Sequence, residues 1–426
     1  MNTLDKCVAD GVFPVTFHNY SPWGSPAAVP AAIKTWVDLG ITVGRTPGYD
    51  PERVDKADML AMLDACAEAG IKCFVPDRRA SAGAYRAAKD EGEYRCALEA
   101  AIKDFGGRPA TFGFDVGDEP ARDAIGPAFR TAAIQREMAP QLTPFLSMGA
   151  YDPGALDWMG IRSYGRYLDE YVEIAQPRML FQNNYYILHD GEYAEEAYFR
   201  SHKMFTDACK RNGDIPYWVT LCCSGHMNMR CPSEDDLRWQ INTSAALGAK
   251  GFAWFLVYIT QPHMNYRLNP IDEHWERTET FGWLSRQLRT FQKKHGATLM
   301  KLTFQKCFFC LGGGSSGGYP TTIDSEVVKG VRVRDDKFPV IISEFKDAEG
   351  RDYVAIVNRS LKGFGQAIIR WHGRLKVFHV DWEGERESRA YFDDDWPENP
   401  YLETGPWLAP GQMELYRIES DAPQQL

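Results

Sequence analysis

What most constrains this chain is a rhythm. From residue 12 to residue 258, short apolar runs alternate with longer amphipathic ones. The runs at 12–17, 41–45, 71–75, 110–116, 144–147, 179–183, 217–222 and 251–258 have the length and the β-branched or aromatic content of buried strands. Residues 58–69 carry a helical pattern that stops at Gly70, and Ser233 stands as an N-cap before Glu234, Asp235 and Asp236, acids that suit the positive end of a helix. Strands that alternate with helices imply a parallel sheet. Eight such strands within roughly 250 residues predict an α/β fold, a (β/α)₈ TIM barrel, over residues 1–298. The competing layout counts residues 157–162 as a ninth strand of a doubly wound sheet.

Beyond residue 300 the rhythm is lost. Strand-like runs at 352–357, 366–371, 375–380 and 412–418 are separated by Gly, Asp and Pro turns without helices, which predicts an all-β sandwich over residues 299–426. Two domains also agree with a length of 426 residues. The stretch Gly312-Gly313-Gly314-Ser315-Ser316-Gly317-Gly318 reads as a flexible loop.

Several classes of function are disfavoured. The net charge is −10 with no basic cluster, so no nucleic-acid partner is expected, and no apolar run is long enough to call for a membrane. Ten cysteines include Cys307-Phe308-Phe309-Cys310, but no second pair follows at zinc-ligand spacing, and the strand-like surroundings mark buried thiols. With no glycine-rich phosphate loop and no His-Glu-x-x-His, neither a cofactor nor a catalytic metal is expected. The first residues lack a basic start followed by an apolar stretch, which favours a cytoplasmic protein, or a secreted one if a leader has been removed.

In a barrel the chemistry sits at the C-terminal ends of the strands. The fourth run delivers Phe112-Gly113-Phe114-Asp115-Val116-Gly117-Asp118-Glu119-Pro120. Three carboxylates this close favour keeping a proton on one of them, the condition for a general acid, and Glu119 is the candidate. An acidic loop that caps the next helix is the plainer alternative.

Asp118-Glu119-Pro120 resembles the Asn-Glu-Pro that ends the fourth strand in clan A retaining glycoside hydrolases, where the Glu is the acid/base. Leu237-Arg238-Trp239-Gln240 with Ala245-Ala246-Leu247-Gly248-Ala249-Lys250-Gly251 is similar to the helix that leads into strand eight of the β-galactosidase-like barrels. Trp407-Leu408-Ala409-Pro410-Gly411 is similar to a phrase of their terminal sandwich. The resemblance implies a glycoside hydrolase acting on a carbohydrate. It fails at strand seven, where the family's nucleophilic Glu is absent from Tyr217-Trp218-Val219-Thr220-Leu221-Cys222-Cys223. A glycan-binding barrel that has lost its nucleophile is therefore the alternative.

A second carboxylate must come from elsewhere. Asp118 adjoins Glu119, but successive side chains of an extended segment point apart, and Asp115 lies deeper along the strand. Asp77, or Asp272 with Glu273, is the expected base, acting through water with inversion at the anomeric carbon. Cys222 is the less expected nucleophile, since a thiolate needs a positive neighbour. Oriented hydrogen bonds to a sugar are expected from His18, Tyr20, Arg45, Asn183, Tyr185, His226, Trp254 and Tyr258, with Gln261 and His263 beyond strand eight. Arg45, Arg78 and Arg79 further permit an acidic sugar.

Overall fold

The computed structural model describes residues 2–151, 154–189, 193–260, 264–334, 338–372, 375–388 and 403–420. Eight short strands run through the N-terminal part: β1 (Val15–Phe17), β2 (Val43–Arg45), β3 (Lys72–Val75), β4 (Thr111–Asp118), β5 (Phe145–Ser147), β6 (Leu180–Asn183), β7 (Tyr217–Cys222) and β8 (Phe252–Phe255). They pair in parallel as two arcs, β2-β3-β4-β5 and β6-β7-β8-β1. Backbone bonds close both seams. Thr42 N donates to Val15 O (3.0 Å) between β1 and β2, and Met148 N donates to Phe181 O (2.9 Å) between β5 and β6. The barrel is closed, and residues 157–162 add no strand to it. Ala155–Met159 is a helix that Gly160 ends at φ 68°, which removes the doubly wound layout.

Among the described residues, eight helices of eight or more residues separate and follow the strands: α1 (Ala32–Leu39), α2 (Lys56–Glu68), α3 (Glu91–Ala101), α4 (Ile125–Met138), α5 (Tyr164–Ala175), α6 (Tyr193–Arg211), α7 (Glu234–Ala246) and α8 (Glu279–Phe291). Ser233 caps α7 as its sequence position predicts. Its hydroxyl accepts from Asp236 N (3.2 Å) while the Asp236 carboxylate accepts from Ser233 N (2.7 Å). Inside the barrel, Phe74, Phe112, Phe145, Phe181 and Trp218 come from five successive strands and pack ring against ring, at centroid distances from 4.3 to 6.4 Å. These five rings form a plug. It fills the interior and leaves the polar chemistry to the C-terminal rim.

The C-terminal part is an antiparallel sandwich. Its larger sheet has the order β15-β14-β18-β12-β11-β9, from β9 (Thr303–Cys310), β11 (Val340–Lys346), β12 (Asp352–Asn358), β14 (Leu375–Asp381), β15 (Gly384–Glu387) and β18 (Met413–Ser420). The smaller sheet joins β10 (Val328–Val333), β13 (Gly365–Trp371), β16 (Glu403–Thr404) and β17 (Trp407–Leu408). Alternate residues of the larger sheet enter two different cores. Ile341, Phe345, Ala355 and Val357 join the barrel core, whereas Val340, Ile342, Val354 and Ile356 join the core between the sheets. Cys307 and Cys310 obey the same parity and face opposite cores, so both are buried free thiols.

The Trp407–Gly411 phrase docks the sandwich on α7. Gly411 has φ 67°, and a Cβ there would lie 2.4 Å from Trp239 Cα. Arg238 Nε donates to Pro410 O (2.7 Å) and Asn242 Nδ2 to Gly411 O (2.8 Å). The glycine-rich stretch is not a loose loop. Arg359 donates to Gly313 O and to Ser315 O, Ser315 N donates to Glu195, and a Cβ on Gly317 would meet the α6 backbone at 2.5 Å. Its glycines allow close approach to α6, which composition alone cannot distinguish from flexibility.

Candidate active site

Strand β4 ends irregularly. Asp115 pairs with Phe145 and Gly117 with Leu146, so one extra residue bulges between them. Glu119 then adopts φ 43°, a left-handed conformation that costs about 1–2 kcal/mol for a residue with a Cβ. Its N–H donates to Ser147 O (2.8 Å), which anchors the turn to β5. These departures overturn the expectation that Asp118 and Glu119 point apart. Asn183 Nδ2, at the end of β6, donates to Glu119 Oε1 (2.7 Å) and to Asp118 Oδ1 (3.1 Å). Two oxygens bonded to one nitrogen at those distances lie within about 6 Å of each other. Ser147 Oγ donates to Asn183 Oδ1 (3.0 Å) and so fixes which way the amide faces.

Beneath this pair lies a polar floor. Arg45 of β2 forms a buried ion pair with Asp115 of β4 and donates to His18 Nδ1 (2.7 Å). A guanidinium can only donate, so Nδ1 accepts and the proton sits on Nε2, which faces Thr220 Oγ1 at 3.1 Å. Burial, then the Arg45 charge, hold His18 well below the usual imidazole range, consistent with a neutral ring.

Aromatic rings form the walls. Tyr20 stacks beside His18 (6.0 Å, 19°) and is 47% exposed. Tyr185 stacks on Phe255 (5.1 Å, 26°) and His226 on Tyr266 (4.4 Å, 14°). Burial and then the charges of Asp118 and Glu119 push the Tyr185 phenol well above its usual range, which keeps it a hydrogen-bond donor. Trp158 and the Glu119 carboxyl flank Gly149.

Other expected residues stand elsewhere. Asp77 is buried, caps a short turn and pairs with Arg79 (2.8 Å), so its carboxylate is already engaged. Trp254 is fully buried, and the buried Tyr258 accepts from Trp36 Nε1 (2.8 Å). Asp272 closes a turn by accepting from His274 N and Glu276 N, each 2.9 Å. Arg79 pairs with Asp77 and Asp104, Arg78 with Asp50, and Arg45 with Asp115. The three arginines therefore give an acidic sugar no support. Burial pushes the Cys222 thiol up to about 11, against a nucleophilic thiolate near neutral pH. Gln261 and His263 lie outside the described residues. Sequence reasoning missed Trp158, Phe255 and Tyr266 as wall residues, since nothing in their neighbouring residues distinguishes a ring that lines the site from one that packs a core.

No protein-family model and no curated protein matches the sequence. Solved structures match the fold. A glycoside hydrolase family 5 protein from Bacteroides vulgatus is similar with a TM-score of 0.56 at 11% identity, over 97% of this chain and 91% of that one. A β-galactosidase from the psychrophilic Marinomonas ef1 gives 0.50 at 10% identity, over 68% of this chain and 62% of that one. This chain thus spans less than two thirds of that β-galactosidase. The likeness shows a (β/α)₈ barrel fold.

Proposed function

We propose that this chain is a glycoside hydrolase that cleaves a glycosidic bond in an oligo- or polysaccharide, with Glu119 as the general acid. One observation carries the reading: Glu119 and Asp118 converge on Asn183 at the C-terminal rim of the barrel, near Tyr185 and the ring it stacks on, Phe255. A carboxyl group held there can protonate a departing glycosidic oxygen, and the rings can stack on pyranose faces. Asp118 is the second carboxylate of the pair. His18, Tyr20, Arg45, Asn183, Tyr185 and His226 shape the floor and walls that hold the sugar.

The test is Glu119→Gln, which is nearly isosteric. Hydrolysis of oligosaccharides with poor leaving groups is expected to fall ~10²–10⁴-fold, and aryl glycosides with good leaving groups are expected to suffer less. An unchanged rate on poor leaving groups refutes the assignment. A second reading, a barrel that binds glycans without cleaving them, draws on the end of β7, which offers Thr220, Leu221, Cys222 and Cys223 but no carboxylate. It predicts saturable binding with no turnover across a panel of aryl glycosides.

A further inference from the structure

We infer that the substrate carries a 2-acetamido group, and that the carbonyl oxygen of this group, rather than a protein side chain, attacks the anomeric carbon. The inference rests on Glu119 being the acid. A double displacement by the enzyme needs a second carboxylate roughly 5–5.5 Å from the acid and facing the opposite side of the anomeric carbon. The described rim offers none in that role. The end of β7 has no carboxylate, Asp115 is held by the buried Arg45, and Asp77 is held by Arg79. The Cys222 thiol stays protonated near neutral pH.

What stands beside Glu119 is Asp118, bonded to the same amide nitrogen. With the shared amide tying it to Glu119, we place it on the acid's side of the bond to be broken, where it does not attack from behind. A carboxylate accepts hydrogen bonds and cannot donate them. Asn183 serves one of its oxygens, so the group suits a substrate donor close to the anomeric carbon. An acetamide N–H at C2 is such a donor, one carbon away. Held by Asp118, it turns its carbonyl oxygen toward the anomeric carbon, an intramolecular attack of high effective concentration. The stacked pairs Tyr185–Phe255 and His226–Tyr266 give the acetamide methyl an apolar surround.

The steps balance without a further reactant beyond water. The acetamide oxygen bonds to C1 as the C1–O bond to the leaving group breaks, and Glu119 gives its proton to the departing oxygen. The resulting oxazolinium ion carries a positive charge opposite Asp118. Water then attacks C1, its proton goes to Glu119, and the C1–O bond of the ring opens to restore the acetamide. The product keeps the anomeric configuration of the substrate. This replaces the inverting, water-base expectation: of its candidates, Asp77 is paired with Arg79, Asp272 closes a turn by accepting from backbone N–H groups, and Glu273 is exposed on that turn.

The test compares 4-nitrophenyl 2-acetamido-2-deoxy-β-glucoside and -β-galactoside with their 2-hydroxy counterparts. Turnover of an acetamido substrate is expected, with the retained anomer formed first by proton NMR. Stepwise fluorination of the acetamide should lower kcat/KM steeply, because it weakens the attacking oxygen. Asp118→Asn, which keeps the shape but not the charge, should lower kcat on the acetamido substrate at least ~10²-fold. The corresponding sugar-fused thiazoline, which mimics the intermediate, should bind the wild type more tightly than Asp118→Asn. Inversion, a rate indifferent to fluorination, or no turnover of either acetamido glycoside overturns the inference. If the 2-hydroxy glycosides alone are cleaved, and Glu119→Gln lowers the rate on 2-hydroxy oligosaccharides with poor leaving groups ~10²-fold or more, the acetamide inference falls while the Glu119 reading stands. If no glycoside is cleaved and no thiazoline binds, both fall.

Discussion

Asn183 holds two carboxylates with one amide nitrogen, and Ser147 holds Asn183 in turn. Its value to the reaction is positional: removing the amide lets Glu119 and Asp118 move apart without removing either. Asn183→Ala is therefore expected to lower kcat about 10²-fold with KM changed little, the cost of an ångström-scale misplacement. Steady-state kinetics on the best aryl glycoside decide this, and an equal loss in KM alone would show that Asn183 only binds substrate. The sequence made Asp118, Glu119 and Asn183 visible as polar groups at strand ends. It did not make their convergence visible, because that depends on the bulge at Val116 and on the left-handed backbone at Glu119, neither of which leaves a mark in residue type. Asp77 shows the reverse failure. Its position after β3 was legible, but Arg79, two residues on, already holds it.

At the scale of elements, the strands of the barrel were readable because each is a compact apolar run between turn signals. Residues 155–159 were harder, since five residues give no period, and Gly160 decides for a helix end. Two contacts between elements can be tested. Gly411 lies against the α7 backbone with φ 67°, so Gly411→Ala combines backbone strain with overlap and should destabilise the fold by about 2–4 kcal/mol in urea titration. Lys250, before β8, donates its amine to the carbonyls of Leu299 and Leu302, and desolvation pushes its pKa down to about 7. The unfolded chain keeps this proton up to pH ~10.4. Between pH 7 and pH ~10 the unfolded state thus binds more protons, and stability rises with pH. Below pH 7 the amine is charged in both states and the burial penalty is complete. Lys250→Met should remove this slope, which for a single site is at most the ~1.4 kcal/mol per pH unit of one whole proton. Parallel urea midpoints for the two proteins at pH 6, 7.5 and 9 would show the wild type gaining on the variant, and a constant difference would refute it.

On the scale of the whole molecule, the division at residue 298 is proposed as a change of architecture rather than a boundary of stability. Buried residues of β11, β12 and β18 belong to the same core as the barrel helices. The chain should therefore unfold in a single calorimetric transition, and two resolved transitions would contradict this. The two-part layout was legible from the change of rhythm near residue 300. The depth of the contact was not, because a strand buried on both faces shows an unbroken apolar run that hides its alternation. The doubly buried sheet also gives meaning to the order of the chain. During synthesis the N-terminal part emerges first, so the surface that will cover Ile341, Phe345, Ala355 and Val357 can already be in place when β11 and β12 leave the ribosome. A circular permutant that makes the sandwich first would present those strands to the cell with an apolar face uncovered, an invitation to self-association. The direction in which the gene is read thus acts as a safeguard against aggregation.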